Sequence, residues 1–199
     1  FFLLENVATV GKKEGEEYLE ALKCILKDYV FYPHTYNAYD YGVAQKRERF
    51  ILVGKHRDID GDFKIPEPFK FRKNVRDVIW DLPSPPDDFS EHPQVFNHQK
   101  GRLTEINQKR LSFVPEGGGW KDIPYNLLTE QKQDLSENQG FDNVYGRLSW
   151  QEPAPTITTG FNSITRGRFA HPSETRAITA REASRIQSFP DWFKFLGNQ

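Results

Sequence analysis

The residue types best suited to chemistry lie in two short stretches, and the first opens the chain. In FFLLENV, the carboxylate of Glu5 directly follows four large apolar residues that predict a strand. Ligands of open α/β sheets bind beyond the carboxyl ends of the strands, so this position makes Glu5 a candidate catalytic acid. The same position also suits a helix-capping or an ordinary loop carboxylate, and the pattern alone leaves these alternatives open.

The second stretch is YGVAQKRERFILVG, in which a turn leads into a short apolar strand. Gln45, Lys46, Arg47 and Arg49 stand at the entrance of that strand, and the two arginines share one face because strand side chains alternate. The rigid fork of arginine matches a phosphate or the edge of a base. Charged side chains that protect an exposed edge strand are an equally good interpretation.

Other candidate groups are weaker. The threonines of PTITTGF could donate to phosphates, although such triplets more often simply form strands. Cys24, the only cysteine, lies within a predicted helix and is interpreted as a core residue rather than a nucleophile. The five histidines lack metal-ligand spacing, and the glycines of PEGGGW lack the context of a phosphate-binding loop.

Regular elements must position these residues, and the sequence predicts few of them. Helical spacing of apolar residues over about 14–28 lies between predicted strands, and a further strand follows at RFILVG, which is typical of the edge of an α/β sheet. After a linker-like boundary near residue 58, short helices are predicted over NVRDVIWDL and 104–113. Short strands are predicted at GRLSW, PTITTGF and GRFAHP, and Thr179 with Glu182 forms a capping box at the last helix.

The composition bounds the class of protein. The chain has 199 residues, 37% of them hydrophobic, and 14 glycines with 13 prolines predict a loop-rich structure. One cysteine and no long apolar run indicate a soluble, cytoplasmic protein with no membrane partner. The absence of methionine indicates a processed or partial chain. The net charge of −1 gives no global case for nucleic acid, but residues 45–57 carry five basic groups against one acid.

Taken in order, these stretches resemble the DNA (cytosine-5) methyltransferases of bacterial type. FFLLENV is similar to the family's ENV motif, YNAYDYGVAQKRERFILVG to its QxRxR motif, and TRAITAREASRIQSFPDWF to the arginine-rich motif after the target recognition domain. The resemblance covers essentially the whole chain. The family's glycine-rich S-adenosylmethionine loop and its Pro-Cys nucleophile loop both precede the ENV motif and are not matched, so the resemblance implies a C-terminal portion.

The resemblance implies an α/β fold class: the trailing part of a Rossmann-like methyltransferase sheet plus a smaller, loop-rich α+β target recognition domain. Residues 1–60 would be the C-terminal part of the catalytic domain, and residues 61–175 the recognition domain. Residues 176–199 would form a helical segment linking back to the catalytic domain.

The resemblance also implies roles for individual residues. In this chemistry a thiolate adds to C6 of cytosine, and an acid at N3 eases that addition. Glu5 would take the acid's role, Arg49 would hold O2, and Arg47 would contact the backbone or the adduct. Residues implied to contact DNA are Gln45, Lys46, Thr156, Ile157, Thr158, Arg168 and Arg181. Arg176, Arg181 and Gln187 would brace the two domains.

The implied cofactor is S-adenosylmethionine in the complete enzyme, with its binding loop absent from this chain. The implied partners are double-stranded DNA and a missing N-terminal methyltransferase portion, either covalent or a separate chain, and the isolated chain is expected to be inactive. Two alternatives remain open: a non-catalytic DNA-binding or complementing subunit of a split methyltransferase, and an inactive remnant. No residue predicts the target DNA sequence.

Overall fold

The computed structural model describes residues 1–128 and 143–197, which divide into two units. The first, here the sheet unit, consists of residues 1–42 and 46–72; the second, the loop unit, consists of residues 43–45 and the described residues from 73 onward. The first domain boundary was predicted at 60, but residues 61–72 pack within the sheet unit. The ring of Phe63 lies 5.6 Å from that of Tyr32, and Phe69 N donates to the carbonyl of Asp40.

Parts of two predicted domains lie outside the described residues. These are residues 129–142 of the predicted recognition domain and residues 198–199 of the predicted final segment. The described part of that final segment belongs to the loop unit. The functional assignment of the domains stays a prediction.

Three strands form the sheet unit: β1 (Phe2–Val7), β2 (Tyr29–Asn37) and β3 (Glu48–His56), in the order β1-β3-β2. Both pairings are antiparallel, with Val7 opposite Arg49 and Asn37 opposite Glu48. β1 and β2 therefore end at the edge of the sheet where β3 begins. The predicted strands are confirmed, but Glu5 lies inside β1 rather than beyond its end, because pairing continues to Val7.

Side-chain alternation separates the two faces of β1. Leu3, Glu5 and Val7 project from one face, and Leu4 and Asn6 from the other. Helix α1 (Glu16–Ile25) lies against the second face, where a pocket is lined by Leu4, Asn6 and apolar residues of the helix. The interpretation of Cys24 as a core residue is wrong. The thiol is exposed, because α1 packs along one side only. None of the residues of α1 is fully buried.

The loop unit contains three short α-helices, α2 (Arg76–Ile79), α3 (Glu105–Ser112) and α4 (Ala180–Ile186), among its described residues. They pack on two apolar clusters, one containing Leu148 and Ile186 and the other Leu111 and Ile164. The predicted capping box of α4 is confirmed. Glu182 N donates to Thr179 Oγ1 at 3.2 Å, and Thr179 N donates to Glu182 Oε2 at 2.7 Å.

The strands predicted at GRLSW, PTITTGF and GRFAHP are wrong, since the described part of the loop unit has only single bridges there. These bridges join Arg147 to Ala170, Ala170 to Ala177 and Gln45 to Ala154. Buried side chains replace the missing ladders. The guanidinium of Arg147 donates to the carbonyls of four residues: Leu111, Val114, His171 and Glu174.

Short 3-10 helices connect the larger elements. They cover Ala8–Gly11, Lys13–Gly15, Ala38–Tyr41, Trp120–Asp122 and Tyr125–Leu127. The turn at Ala38–Tyr41 ends at Gly42, whose φ of +82° is readily adopted only by glycine. The chain then contributes residues 43–45 to the loop unit and returns to the sheet unit at Lys46. Within residues 1–128 and 143–197, no helix has both the length and the apolar character needed to span a membrane.

Candidate active site

Glu5 and Arg49 form an ion pair on one face of the sheet. Nε of Arg49 lies 2.9 Å from Oε1 of Glu5. The strand register explains the contact, because Arg49 stands opposite Val7, two positions along β1 from Glu5 and on the same face. The Glu5 side chain is 51% exposed and that of Arg49 26% exposed. The pair therefore brings together two separately predicted motifs and remains open to a ligand.

Asn37 fixes the backbone of Arg47, directly before the strand β3 that carries Arg49. Its Oδ1 accepts hydrogen bonds from Tyr39 N at 3.2 Å and Arg47 N at 3.1 Å. Arg47 is half-buried directly before β3, and Nη1 of Arg49 donates to the carbonyl of Glu48 at 2.7 Å. Sequence reasoning missed Asn37, whose signal is an amide immediately before a short helical turn.

The two other polar residues of this motif have opposite surroundings. Lys46 is exposed, which suits its predicted contact with DNA. Gln45 is only 1% exposed inside the loop unit, and among the described residues neither polar atom of its amide has a hydrogen-bond partner. The predicted DNA contact of Gln45 does not fit this burial. The bridge to Ala154 fixes it inside the unit instead.

The predicted recognition segment PTITTGF is split by burial. Ile157 is 7% exposed and packs in the apolar cluster with Leu148, so its predicted contact with DNA does not fit. Thr158 is exposed and Thr156 half-buried, and both line a groove together with Arg166. Thr158 is therefore the exposed member of the predicted triplet.

Two arginines predicted to contact DNA are bound within the protein. Nη1 of Arg168 donates to the carbonyls of Gly117, Gly118 and Arg147 at 2.6–2.9 Å, which holds the glycine-rich loop. Arg181 is 1% exposed and donates to the carbonyls of Phe96 and Phe193. Burial removes Arg181 from any DNA surface, so that prediction requires correction towards a structural role. The three carbonyls bind only Nη1 of Arg168, and its half-buried side chain also lines the groove with Thr158, so its contact with DNA stays a prediction.

Arg176 lies at the centre of a buried charge cluster in the loop unit. Its guanidinium makes two hydrogen bonds to Glu182, at 2.7 and 2.8 Å, and two to Glu174, at 2.9 and 3.0 Å. Burial alone would lower the pKa of Arg176, but the bonds to Glu182 and Glu174 raise it. Arg176 thus braces the start of α4 within its own unit. The amide of Gln187 donates only to the carbonyl of Ala183.

Two buried histidines accompany this cluster and were not singled out by sequence reasoning. Nδ1 of His171 accepts from Ser173 N and Glu174 N, and burial lowers the pKa of His171 to about 4. Nδ1 of His98 lies 2.9 Å from Thr179 Oγ1, and burial lowers its pKa as well. Both rings are neutral structural groups at pH 7. Only their proximity to Thr179 and Glu182 marks them, and proximity is not visible in spacing.

The chain was compared with known proteins. Residues 1–199 match the family model of the C-5 cytosine-specific DNA methylases. The chain belongs to this family. The Type II methylase M.HgiDII of Herpetosiphon aurantiacus is 38% identical over 78% of this chain and 44% of its own length. The Type II methyltransferase M.PspPI of a Psychrobacter species is 32% identical over 99% of this chain and 47% of its own length.

The fold agrees with this methylase assignment. A solved Escherichia coli protein, described as a DNA modification methyltransferase encoded within a prophage, matches with a TM-score of 0.60 at 24% identity. The match covers 98% of this chain and 60% of that one. The methylase chain spans about half the length of the curated relatives it matches.

An apolar cavity lies on the face of the sheet that carries Glu5, and its lining can be set against the chemistry of S-adenosylmethionine, the implied methyl donor. This cavity of about 620 Å³ is lined by Leu3, Ile51 and Val53, on the face that carries Glu5, and by Tyr36 and Tyr41. The two tyrosine hydroxyls are its only polar side-chain groups. S-adenosylmethionine carries a charged amino acid group, a ribose and a sulfonium, which need charged and amide partners. The residues that line this cavity do not fit S-adenosylmethionine.

Proposed function

We propose that this chain is the C-terminal part of a DNA (cytosine-5) methyltransferase, acting in the cytoplasm on duplex DNA. Its sheet unit would present part of the catalytic site to a cytosine turned out of the duplex. The observation that carries the proposal is the exposed ion pair between Glu5 and Arg49, built by two motifs of the family.

The chemistry of cytosine suits this pair. N3 and O2 are adjacent atoms on one edge of the ring, so an acid and a guanidinium 2.9 Å apart can address both at once. Because N3 of cytosine is an acceptor, Glu5 would have to carry a proton to donate to N3, and Arg49 would donate to O2. Among the described residues no hydrogen bond is made by Nη2 of Arg49, which leaves that donor for the base. Arg47, held by Asn37, would contact the DNA backbone or the adduct.

The nucleophile of the reaction would come from outside this chain. Addition of a thiolate to C6 makes C5 nucleophilic, and S-adenosylmethionine would supply the methyl group. Cys24 is a poor candidate for that thiolate, because α1 covers the face of β1 opposite to Glu5. A further methyltransferase portion, covalent or separate, would therefore supply both the thiolate and the cofactor site. The isolated chain would bind DNA without methylating it.

The loop unit would act as the target recognition domain, with double-stranded DNA as its partner. Its short helices are joined by long loops that are pinned by buried arginines, an arrangement suited to presenting loop side chains on a rigid support. Within this unit, Thr158 is the exposed member of the predicted contact set, and Thr156 and Arg168 are half-buried.

The test is methyl transfer from labelled S-adenosylmethionine to duplex DNA. The assay compares the 199-residue chain alone with the complete reading frame that contains it. We expect transfer only from the complete protein. In that protein Arg49→Ala and Glu5→Gln should each lower turnover at least 100-fold, in the range for loss of a hydrogen bond made in the transition state. Arg57→Ala, an exposed arginine just beyond β3, serves as the matched control.

Two results would overturn parts of the proposal. Methyl transfer by the isolated chain would show that the nucleophile lies within it. Unchanged turnover in Arg49→Ala would remove Arg49 from the site. An upstream start codon directly beside Phe1, with no Pro-Cys motif in frame, would favour a split enzyme over a single longer chain.

A further inference from the structure

The groove beside PTITTGF contains an arginine with no partner in the described part of the protein. Arg166 is exposed, and its guanidinium makes no hydrogen bond or ion pair among residues 1–128 and 143–197. Two positions further, Arg168 donates to three carbonyls. Residues 153–173 contain no acidic residue, so nothing nearby in sequence neutralises Arg166. Its charge is therefore left for a ligand.

The loop that carries Arg166 is a series of turns with a buried anchor. Phe161 N donates to Thr158 O, Ser163 N to Gly160 O, and Arg166 N to Ser163 O. Ile164, 1% exposed, lies in the core, and its carbonyl accepts from Tyr145 N at 2.6 Å. The hydroxyls of Ser163 and Thr165 are 2.9 Å apart. These bonds hold the loop in one conformation before any ligand binds.

Gly160 positions the stem of Arg166. A Cβ atom at Gly160 would lie 2.4 Å from Cδ of Arg166, which is closer than carbon atoms can approach. The aliphatic stem of the arginine therefore lies directly over the glycine. This contact limits the rotamers of Arg166, so less side-chain entropy is lost when its guanidinium binds.

The groove suits a base edge better than a phosphate. Its volume is about 410 Å³, and its lining combines the threonine hydroxyls at 156, 158 and 165 with the apolar side chains of Val144 and Phe169. An arginine fork and threonine hydroxyls can contact either a phosphate or a base edge, but only base edges in the major groove offer paired acceptors beside an apolar group such as the thymine methyl, which the apolar part of this lining suits. A rigid guanidinium fork at such a groove matches the O6 and N7 acceptors of guanine.

From these observations we infer that Arg166 is a specificity-determining residue, which reads a guanine in the major groove of the target duplex. The inference rests on the proposed function, because it requires the loop unit to bind DNA. Thr158 and Thr165 flank the fork and complete the contact surface. Gly160 is the positioning residue that keeps the fork over the groove.

The test is competitive binding of the complete protein that contains this chain to a library of randomised duplexes, read by sequencing of bound and free DNA. With the chain unmodified, we expect enrichment of a motif with one guanine whose preference disappears in Arg166→Ala and in Arg166→Lys. The expected loss at that base pair is about 5- to 150-fold, the range for one bidentate contact. Gly160→Ala should reproduce the loss with the charge retained. Lys109→Ala, which removes an exposed charge from α3, should leave the motif unchanged.

The outcomes separate this inference from the proposed function. If the complete protein with the chain unmodified binds no duplex, the proposed function fails and the inference with it. If Arg166→Ala weakens all sequences equally and reduces the salt dependence by about one charge, Arg166 contacts a phosphate and the inference alone is overturned. An unchanged motif in Arg166→Ala overturns it as well. Melting temperatures of the variants confirm that each is folded.

Discussion

Two carboxylate–guanidinium pairs of this protein, Glu5 with Arg49 and Glu182 with Arg176, differ in what surrounds them. Glu5 and Arg49 meet through one contact of 2.9 Å, and the Glu5 side chain is half exposed. Arg176 and Glu182 meet through two hydrogen bonds, with side chains 5% and 1% exposed. Arg49 and Glu5 are therefore accessible to a ligand. The guanidinium of Arg176 is not, because it is buried and bonded to both carboxylates of its cluster.

Residue type and spacing therefore do not distinguish an arginine that binds a ligand from one that stabilises the fold. Arg166 and Arg168, two positions apart, differ in the same way. The guanidinium of Arg166 has no partner among the described residues, whereas that of Arg168 donates to three carbonyls. The availability of donors after folding decides the role. The predictions that follow probe each pair for this difference.

The largest effect is expected at the buried pair. Arg176→Met should lower the free energy of unfolding by about 3–5 kcal/mol, because it leaves the carboxylate of Glu182 buried without a cation and removes the partner of the half-exposed Glu174. Urea denaturation followed by circular dichroism measures the loss. Lys109→Met, at an exposed position on α3, is the control and should change stability by less than about 0.5 kcal/mol. A loss below about 1 kcal/mol in Arg176→Met would show that the cluster contributes little to the free energy of unfolding.

The same cluster predicts acid sensitivity. Burial lowers the pKa of His171 to about 4 from an ordinary 6.5, so the folded state favours the neutral ring. Protonation therefore favours unfolding, and the stability that is fully present above pH 6.5 is lost as the pH falls towards 4. Each pKa unit corresponds to about 1.4 kcal/mol, which gives a loss of about 3 kcal/mol. His98, whose pKa is also lowered by burial, adds to the loss in the same direction.

Unfolding free energies at pH 7, 5.5 and 4.5 measure this dependence. His171→Asn keeps an acceptor for the backbone donors of Ser173 and Glu174 but cannot be protonated. The variant should be flatter than the original protein between pH 6.5 and 4.5. Equal slopes in both proteins would assign the acid sensitivity elsewhere, for example to His98, whose pKa is also lowered by burial.

The sequence predicts the sheet unit better than the loop unit, for a physical reason. β1, α1 and β3 follow from local periodicity, and Thr179 with Glu182 is a local capping motif, so their neighbours in sequence are also their neighbours in space. Arg147 binds carbonyls 24 to 36 residues away, and Arg181 binds the carbonyl of Phe96, 85 residues away. Such contacts leave no local pattern in the sequence. Local residue types therefore predicted strands in segments that buried arginines hold as loops.

The candidate site divides in the same way. The ion pair of Glu5 with Arg49 joins residues from two recognisable motifs, and the register of β1 with β3 brings them together. The burial of Gln45 could not be predicted, because the chain enters the loop unit for only three residues before returning to the sheet unit. Alternation along PTITTGF does place Ile157 opposite to Thr156 and Thr158, and the burial of Ile157 agrees with it, whereas the predicted DNA contact of Ile157 does not.

Gln45 gives the third prediction, a gain in stability. Both polar atoms of its amide are buried and lack hydrogen-bond partners among the described residues, which costs about 1–3 kcal/mol. Gln45→Met keeps a similar volume without the polar atoms and should raise the free energy of unfolding by about that amount. Gln151→Met, at an exposed position, is the control. A destabilised Gln45→Met would show that the amide makes a bond within the complete protein that outweighs its burial.

The smallest stability effect is expected at the exposed pair. Glu5→Gln should lower the free energy of unfolding by less than about 1 kcal/mol, because an ion pair in contact with solvent gains little over its hydrated charges. The same substitution is expected to reduce methyl transfer by the complete protein at least 100-fold, as proposed above. Denaturation and turnover measured on one preparation separate the two roles. A large loss of stability with unchanged turnover would make Glu5 a structural acid like Glu182, and would reverse the contrast between the two pairs.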